Sequence, residues 1–552
     1  MTQSNHAPAT APHRSIIAMS FSFPTLLLAV SAFLIFSLAR AIYLLFFHPL
    51  SAIPGPWYAD ITSLWITSHI LRLKQCKTIQ ELFQTYGPIV RIAPNRVVFC
   101  DLGAMKSVYS TWKFDKSVYY KSLVMQNDND HAMTTLPHAQ HLLCRKAYAS
   151  FYAPSNLAKL QPEISRITAQ MIDALHNLPA HTSVETLSLF RHLALDIIVW
   201  SSYGFHHGAI GKWAENAEDS LTLAIYDFPK RGVLRSLVPK WAWFFVCRFP
   251  NARLRLLCDS ARIMAEFVEG RVNEMRAPMK EKEPARDGDD SDKSYMLSRL
   301  LAYKFPSGEP MREEHVISEC MGHLVAGTDT MSLSLSFFLW ELSRRPDITR
   351  KLQQEIDTAM PDPKVIPSIQ ELNGLEYFNA FIKEGLRLYG AVPSLLERVV
   401  LETGSPKYGV GVEKCNLLGY DLPPGTIVST QAWSMHRDPA VFPSPETFLP
   451  ERYLPSPSLS KEEGDSDLAD TERLTRMANH LIPFGTGSRL CGGMNLAHLG
   501  LRMILAAVLR NFHVEAAPGT DERSMDARDS FVMFPASGEC KLIFKSRGCA
   551  LS

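Results

Sequence analysis

No cysteine pair of the Cys-x-x-Cys kind occurs in these 552 residues. That absence argues against a structural zinc site. The ten cysteines are scattered from Cys76 to Cys549, and in a chain this long an even count is no evidence for disulfides. Asn-x-Ser/Thr is missing altogether, which favours a cytosolic body over a lumenal one. Neither sign of charge is in excess: 57 Lys and Arg face 56 Asp and Glu, for a formal net charge of +1. So even a balance gives no footprint for nucleic acid, and no such partner is expected. Internal repeats are absent too, and no acidic residue precedes Asp60.

What the N-terminus does contain is a long apolar run. Residues 15–39 carry no charge, Arg40 interrupts, and residues 41–47 are apolar again. A bilayer core needs roughly 20 apolar residues in a helix, so residues 1–47 read as a single-pass membrane anchor. Pro24 near its start is tolerable there. A cleaved signal peptide is the alternative, but the run is long and no clear cleavage site follows. Arg14 on one side, against Arg40, Arg72 and Lys74 on the other, places the large C-terminal part in the cytosol. The connector Ile53-Pro54-Gly55-Pro56-Trp57 is stiff and non-helical.

Hydrophobic residues make up 46% and charged residues 20%, ordinary for a globular body. Periodicity predicts helices over 314–345, 349–360, 375–389 and 494–511, and a hairpin over 89–101. Charge-dense 280–294 and Ser, Pro, Gly-rich 456–475 read as exposed loops. The body is therefore expected to be one mainly α domain, residues 48–552, with small β-sheets.

Phe484-Gly485-Thr486-Gly487-Ser488-Arg489-Leu490-Cys491-Gly492-Gly493 holds four glycines in ten residues, which permits tight turns and close approach to a flat ligand. An apolar helical pattern follows at once, so Cys491 sits at or just before a helix N-terminus. Dipole and free amides there lower a thiol's pKa. A thiolate is a strong electron-donating ligand for haem iron, and Arg489 suits a haem propionate. The other reading is a buried cysteine in a Gly-rich turn. This segment resembles the haem-binding loop Phe-x-x-Gly-x-Arg-x-Cys-x-Gly of the cytochrome P-450 superfamily, met at Phe484, Gly487, Arg489, Cys491 and Gly493.

Ala326-Gly327-Thr328-Asp329-Thr330 lies inside the long apolar helix. Gly in a helix interior costs about 1 kcal/mol, and an acid among Leu and Val costs several kcal/mol unless partnered. Bearing both suggests chemistry; a kinked core helix is the bland alternative. The resemblance gives Thr330 as the residue that hydrogen-bonds the oxygen held at the iron and Asp329 as the acid that helps deliver protons. Met331 departs from the family's Thr or Ser. Glu384 and Arg387, at i and i+3, share a helix face. By resemblance, Arg452 in Phe448-Leu449-Pro450-Glu451-Arg452 locks that pair in a structural role. Arg398 and Arg145 are further propionate candidates, with Lys146 or His141 able to stand in for Arg145 in a segment that lacks the family's Trp.

These motifs come in the family's order from Pro54 onward. They imply a cytochrome P-450 fold behind a transmembrane helix, holding haem b through Cys491. The activity implied is a monooxygenase that inserts one oxygen atom from O2 into a lipophilic small molecule. Its electrons come from NADPH through a membrane-bound NADPH-cytochrome reductase. The microsomal and fungal look suggests the endoplasmic reticulum, a cytosol-facing body, and a terpenoid or polyketide of secondary metabolism. Alternatives are a haem-thiolate isomerase or dehydratase that needs no O2, and a non-enzymatic membrane haem binder. Pocket walls are expected from 122–135, 223–228, 320–326, 391–396 and 531–534, mostly apolar. The aromatic cluster Trp241-Ala242-Trp243-Phe244-Phe245 suits a membrane interface. Cys549-Ala550-Leu551-Ser552 formally fits a prenylation box.

Overall fold

The computed structural model describes residues 23–123, 129–281, 295–402, 415–455 and 465–548. Helices that build or frame the candidate site are α1 (Phe23–Ile42), α2 (His138–Ala149), α3 (Thr186–Tyr203), α4 (Ser220–Leu237) and α5 (Lys240–Cys247). They continue with α6 (Ala252–Glu281), α7 (Glu313–Arg344), α8 (Glu376–Tyr389), α9 (Asp465–His480) and α10 (Met494–Asn511). The protein is mainly helical with small sheets, as expected.

Phe23–Phe47 is one apolar helical stretch long enough to cross a bilayer. Arg40 does not end it. Its side chains are almost all exposed, whereas its far end is pinned to the body. Fully buried Arg91 donates to the carbonyls of Leu44 (3.1 Å) and Pro94 (2.9 Å) and pairs with Asp60 at 3.3 Å. Arg14 and residues 15–22 lie outside the described residues.

Helix α7 is the core of the body. Val316, Cys320, Leu324, Leu335, Phe338, Leu339 and Leu342 bury its faces against several neighbours at once, so it carries little amphipathic stripe. It stops where Pro346 begins the next helix. Gly327 does not break it. A Cβ there would come within 2.5 Å of Ile198 Cδ1 on α3, so the glycine lets two helix backbones approach closely.

The hairpin forms as β1 (Ile89–Ala93) and β2 (Arg96–Phe99). Three short strands extend it: β3 (Asp115–Lys116), β4 (Arg398–Val399) and β5 (Ile427–Ser429), in the order β1-β2-β5-β4-β3. Only β2 and β5 run parallel in this sheet. Register sets Lys116 directly opposite Arg398.

One expected loop is in part a helix. Residues 456–464 lie outside the described residues, but α9 covers 465–475 and beyond. Leu474 and Met477, three apart, pack on Val441 and Phe442, and Arg473 donates to the Leu454 carbonyl at 2.9 Å. Composition marked this stretch as polar; two apolar residues at helical spacing decide it. Of the other expected loop, residues up to Glu281 continue α6, and 282–294 lie outside the described residues, as do Cys549 and the rest of the prenylation box.

Candidate active site

The cysteine loop is closed by its own backbone. The amides of Gly485, Leu490 and Cys491 donate to the carbonyls of Ile482 (3.0 Å), Gly487 (3.2 Å) and Phe484 (2.9 Å). Gly487 takes φ +66, and a Cβ there would lie 2.3 Å from the Tyr109 carbonyl oxygen. Only glycine fits. Gly493 is different: φ is −82 and a Cβ would meet nothing closer than 3.7 Å. The Phe484 ring packs on His498, and Arg145 on α2 donates to the Leu490 carbonyl.

Cys491 precedes the cap residue Gly493 of α10 by two positions and is reachable by solvent. The amides of Gly493 and Met494, and the charge of Arg145, pull its pKa down, as the sequence suggests. Burial among protein groups outweighs them and holds the thiol above its ordinary value. The expectation of a lowered thiol is thus corrected for the polypeptide alone: the helix end does not outweigh burial.

Beside the loop lies a concentration of buried positive charge. Lys116 donates to the Met133 carbonyl at 2.7 Å, and Arg398 lies over the Tyr109 ring at 4.9 Å. Arg489 donates to the carbonyls of Thr135 (2.7 Å) and Leu136 (2.6 Å). Burial, then Arg398 and Arg489, holds the Lys116 ammonium well below its usual range. His141 is pushed down to about 2 by burial and by Arg489, Lys116, Arg145 and His138, and its Nδ1 has no partner. Glu397, next in sequence to Arg398, is occupied by Arg96 (3.0 Å) and Ser117. Crowding cations is costly. A flat group with two carboxylates would give buried Lys116 and Arg398 a counter-charge and take Cys491 as a thiolate ligand, so these residues fit haem. Lys146 is exposed, whereas His141 sits inside the cationic group.

On α7, Thr330 Oγ1 donates to the Ala326 carbonyl one turn back, at 2.6 Å. Asp329 is buried but not alone: Arg191 Nε on α3 reaches its Oδ1 at 2.9 Å, and the Arg191 guanidinium lies over the Tyr226 ring of α4 at 4.3 Å. Both apparent penalties of the long helix therefore have structural compensation, Gly327 in packing and Asp329 in an ion pair. Met331 turns away into the core, where its Cε would lie 2.8 Å from a Cβ at Gly500 of α10. It takes no place on the face of Thr330.

Glu384, Arg387 and Arg452 meet. Arg387 makes a bidentate pair with Glu384 (2.8 and 2.8 Å), both fully buried, and Arg452 Nε reaches Glu384 Oε1 at 3.0 Å. Backbone carbonyls of His436, Pro445 and Thr447 take the remaining Arg387 donors. Four of the expected wall segments also touch in pairs. The Met533 amide bonds the Ala391 carbonyl (2.8 Å), and a Cβ at Gly322 would strike the His131 ring at 2.7 Å. Lys116 and Arg191 escaped sequence reading. Nothing marks Lys116 in its segment, but Arg191 had a signal: a lone cation in an apolar helix pattern, the natural mate of a lone acid in another.

The sequence pattern of the family "Cytochrome P450" matches residues 56–542. Relatives cover nearly the whole chain. Cytochrome P450 monooxygenase cypX of Dothistroma septosporum is 28% identical over 95% of this chain and 96% of its own length. N-acetyltryptophan 6-hydroxylase ivoC of Emericella nidulans is 28% identical over 95% and 97%. Benzoate 4-monooxygenase bphA of Aspergillus niger is 26% identical over 88% and 90%.

Proposed function

Since this chain belongs to the cytochrome P450 family, we propose that it is a fungal monooxygenase of secondary metabolism that oxidises an aromatic or other lipophilic small molecule. Two of the relatives are named for aromatic acids, which supports an aromatic substrate over a purely aliphatic one. The observation that carries the reading is Cys491 on its glycine loop beside the facing cations Lys116 and Arg398. Residues 1–47 serve as anchor and 48–552 as the catalytic body, on the cytosolic face of the endoplasmic reticulum, with an NADPH-dependent flavoprotein reductase as electron donor.

Bound haem supplies the activation of O2. The chain does the rest. Cys491 holds the iron, and Lys116, Arg398 and Arg489 orient the carboxylates. Arg145 fixes the loop through the Leu490 carbonyl. Thr330 presents a hydroxyl that can pass on a proton when it exchanges its Ala326 acceptor for water. Asp329 is held in an ion pair with Arg191. Glu384, Arg387 and Arg452 tie α8 to the segment that precedes α9. On α5, Trp241, Phe244 and Phe245 are 75%, 54% and 66% exposed, which suits immersion in the lipid surface. Brominated lipids should quench the wild-type fluorescence more than that of Trp241→Phe; equal quenching removes this contact.

The decisive experiment is the absorbance of the reduced protein with carbon monoxide, beside Cys491→Ala. A strongly red-shifted Soret band, lost in the variant, is expected. A histidine-type band in both would remove Cys491 as the ligand.

A further inference from the structure

We infer that Tyr109 is a positioning residue for the haem site: its hydroxyl is wedged into the β4–β5 pairing just before Arg398, and its ring carries the Arg398 guanidinium. The inference rests on the haem-binding reading above.

Strands β4 and β5 pair antiparallel, with Arg398 opposite Val428 and Val399 opposite Ile427. Regular pairing stops at Arg398, but the same register returns where Leu395 faces Gln431. Leu396 therefore faces Thr430. Residues in a hydrogen-bonded antiparallel pair ordinarily exchange two bonds. Here one is direct: the Leu396 amide donates to the Thr430 carbonyl at 2.9 Å. A side chain interrupts the other. Tyr109 Oη accepts from the Thr430 amide at 3.0 Å and donates to the Leu396 carbonyl at 2.6 Å. Both backbone groups are satisfied, through an inserted oxygen. The insertion holds the two strands apart on that side. Local breaks in a ladder re-aim the side chains beside them, and Arg398 is two residues on.

Tyr109 is 1% exposed. Burial raises the pKa of its hydroxyl above the ordinary value, so the group remains a donor. It comes from the turn Ser107–Thr111, which is widened to i→i+5 bonding and closed by the Trp112 amide on the Ser107 carbonyl at 2.8 Å. Such turns are rare and frequent at functional sites.

The other parts of the residue reach the rest of the site. Its ring lies 4.9 Å from the Arg398 guanidinium, within range of a cation–π contact. The Tyr120 hydroxyl faces the same guanidinium, and Arg398 Nη1 donates to the Glu397 carbonyl at 2.8 Å. The Tyr109 carbonyl backs the cysteine loop at Gly487, where no Cβ fits. One residue thus spaces the cysteine loop from the cation that faces a haem carboxylate.

A wedge and a plain structural support differ in what their loss does. Without the hydroxyl, the Thr430 amide can bond the Leu396 carbonyl directly. The ladder then closes and the fold is kept, while Arg398 moves.

The test compares full-length wild type with Tyr109→Phe, which keeps the ring and removes the wedge. The thermal midpoint of the haem-free protein should stay within about two degrees. Transfer of haem to an excess of a second haem-binding protein should be about threefold faster or more. Tyr109→Phe combined with Arg398→Gln should transfer haem no faster than Arg398→Gln alone, because the tyrosine acts through the arginine. Tyr109→Leu, which removes the ring as well, should be faster than Tyr109→Phe. A crystal structure of Tyr109→Phe should show the direct bond from the Thr430 amide to the Leu396 carbonyl. Unchanged transfer in Tyr109→Phe, rates that multiply in the double variant, or a Tyr109→Phe chain that melts far below the wild type or does not fold would overturn the inference. A failed haem-binding reading shows itself separately: the wild type then lacks the red-shifted carbon monoxide band, while the bond change at Leu396 and Thr430 remains visible in the haem-free protein.

Discussion

Lys116 and Arg398 face each other in register across β3 and β4, both buried, with Glu397 turned to Arg96 and Ser117 instead. Like charges directly opposite destabilise a strand pair, so the pair is in place for an anion. Arg398→Gln should let Lys116 return toward its ordinary pKa and weaken haem retention about tenfold, or about 1.4 kcal/mol. Transfer of haem to an excess of a second haem-binding protein measures it. Unchanged transfer would remove Arg398 from the cradle.

Two glycines of the same loop should behave oppositely. Gly487→Ala meets both a left-handed backbone and the Tyr109 carbonyl, and should lose more than about 1 kcal/mol of stability together with haem binding. Gly493→Ala has room in the polypeptide and should leave the thermal midpoint of the haem-free protein within a degree or two. Its effect is expected only in haem uptake.

Breaking the buried triad should be severe. Glu384→Gln leaves Arg387 and Arg452 without their carboxylate charge, with an expected loss of roughly 3–5 kcal/mol. Urea unfolding reads this directly. A loss below about 1 kcal/mol would mean that the backbone carbonyls around Arg387 suffice.

Arg191→Met strands the Asp329 carboxylate among apolar side chains, and should destabilise more than Arg191→Met combined with Asp329→Asn. The comparison of single and double variants by denaturant unfolding isolates the pair. Additive losses would show that Arg191 and Asp329 act independently.

Glu319 sets a pH dependence of stability. Its carboxyl titrates at about 8 when folded against an ordinary 4.5. Between these values the folded chain binds a proton that the unfolded chain has released, so stability falls as pH rises. Glu319→Gln lacks this loss. It should gain on the wild type by up to about 1.4 kcal/mol per pH unit across that window. Thermal unfolding at pH 5 and pH 7.5 checks the sign. A gap that shrinks with rising pH would mean the carboxyl is ionised when folded.

Much of the site was legible because it is local. Gly485 and Gly487 shape one turn, Glu384 and Arg387 are three residues apart, and Thr330 and Asp329 sit on one helix. The span of α7 follows from its apolar run and Pro346, and that of α10 from its regular pattern. What escaped was long-range: Arg191 is 138 residues from Asp329. Lys116 gains its meaning only from the register of a two-residue strand, too short to leave a pattern. Residues 465–475 look like loop by composition, because Leu474 and Met477 matter only once Phe442 is beneath them.

The amino-acid sequence by itself determined the class of this protein: an apolar N-terminal helix, a mainly α body, and a cysteine on a glycine loop of specific spacing. These depend on backbone sterics and on helical periodicity, which act over a few residues. Tertiary structure alone decided the electrostatics. Burial outweighs the helix end at Cys491, strand register sets Lys116 against Arg398, helix packing pairs Asp329 with Arg191, and among the described residues Glu319 has no Lys or Arg partner. Desolvation and charge pairing depend on what lies across space, and the order of residues along the chain does not specify that until the fold has closed.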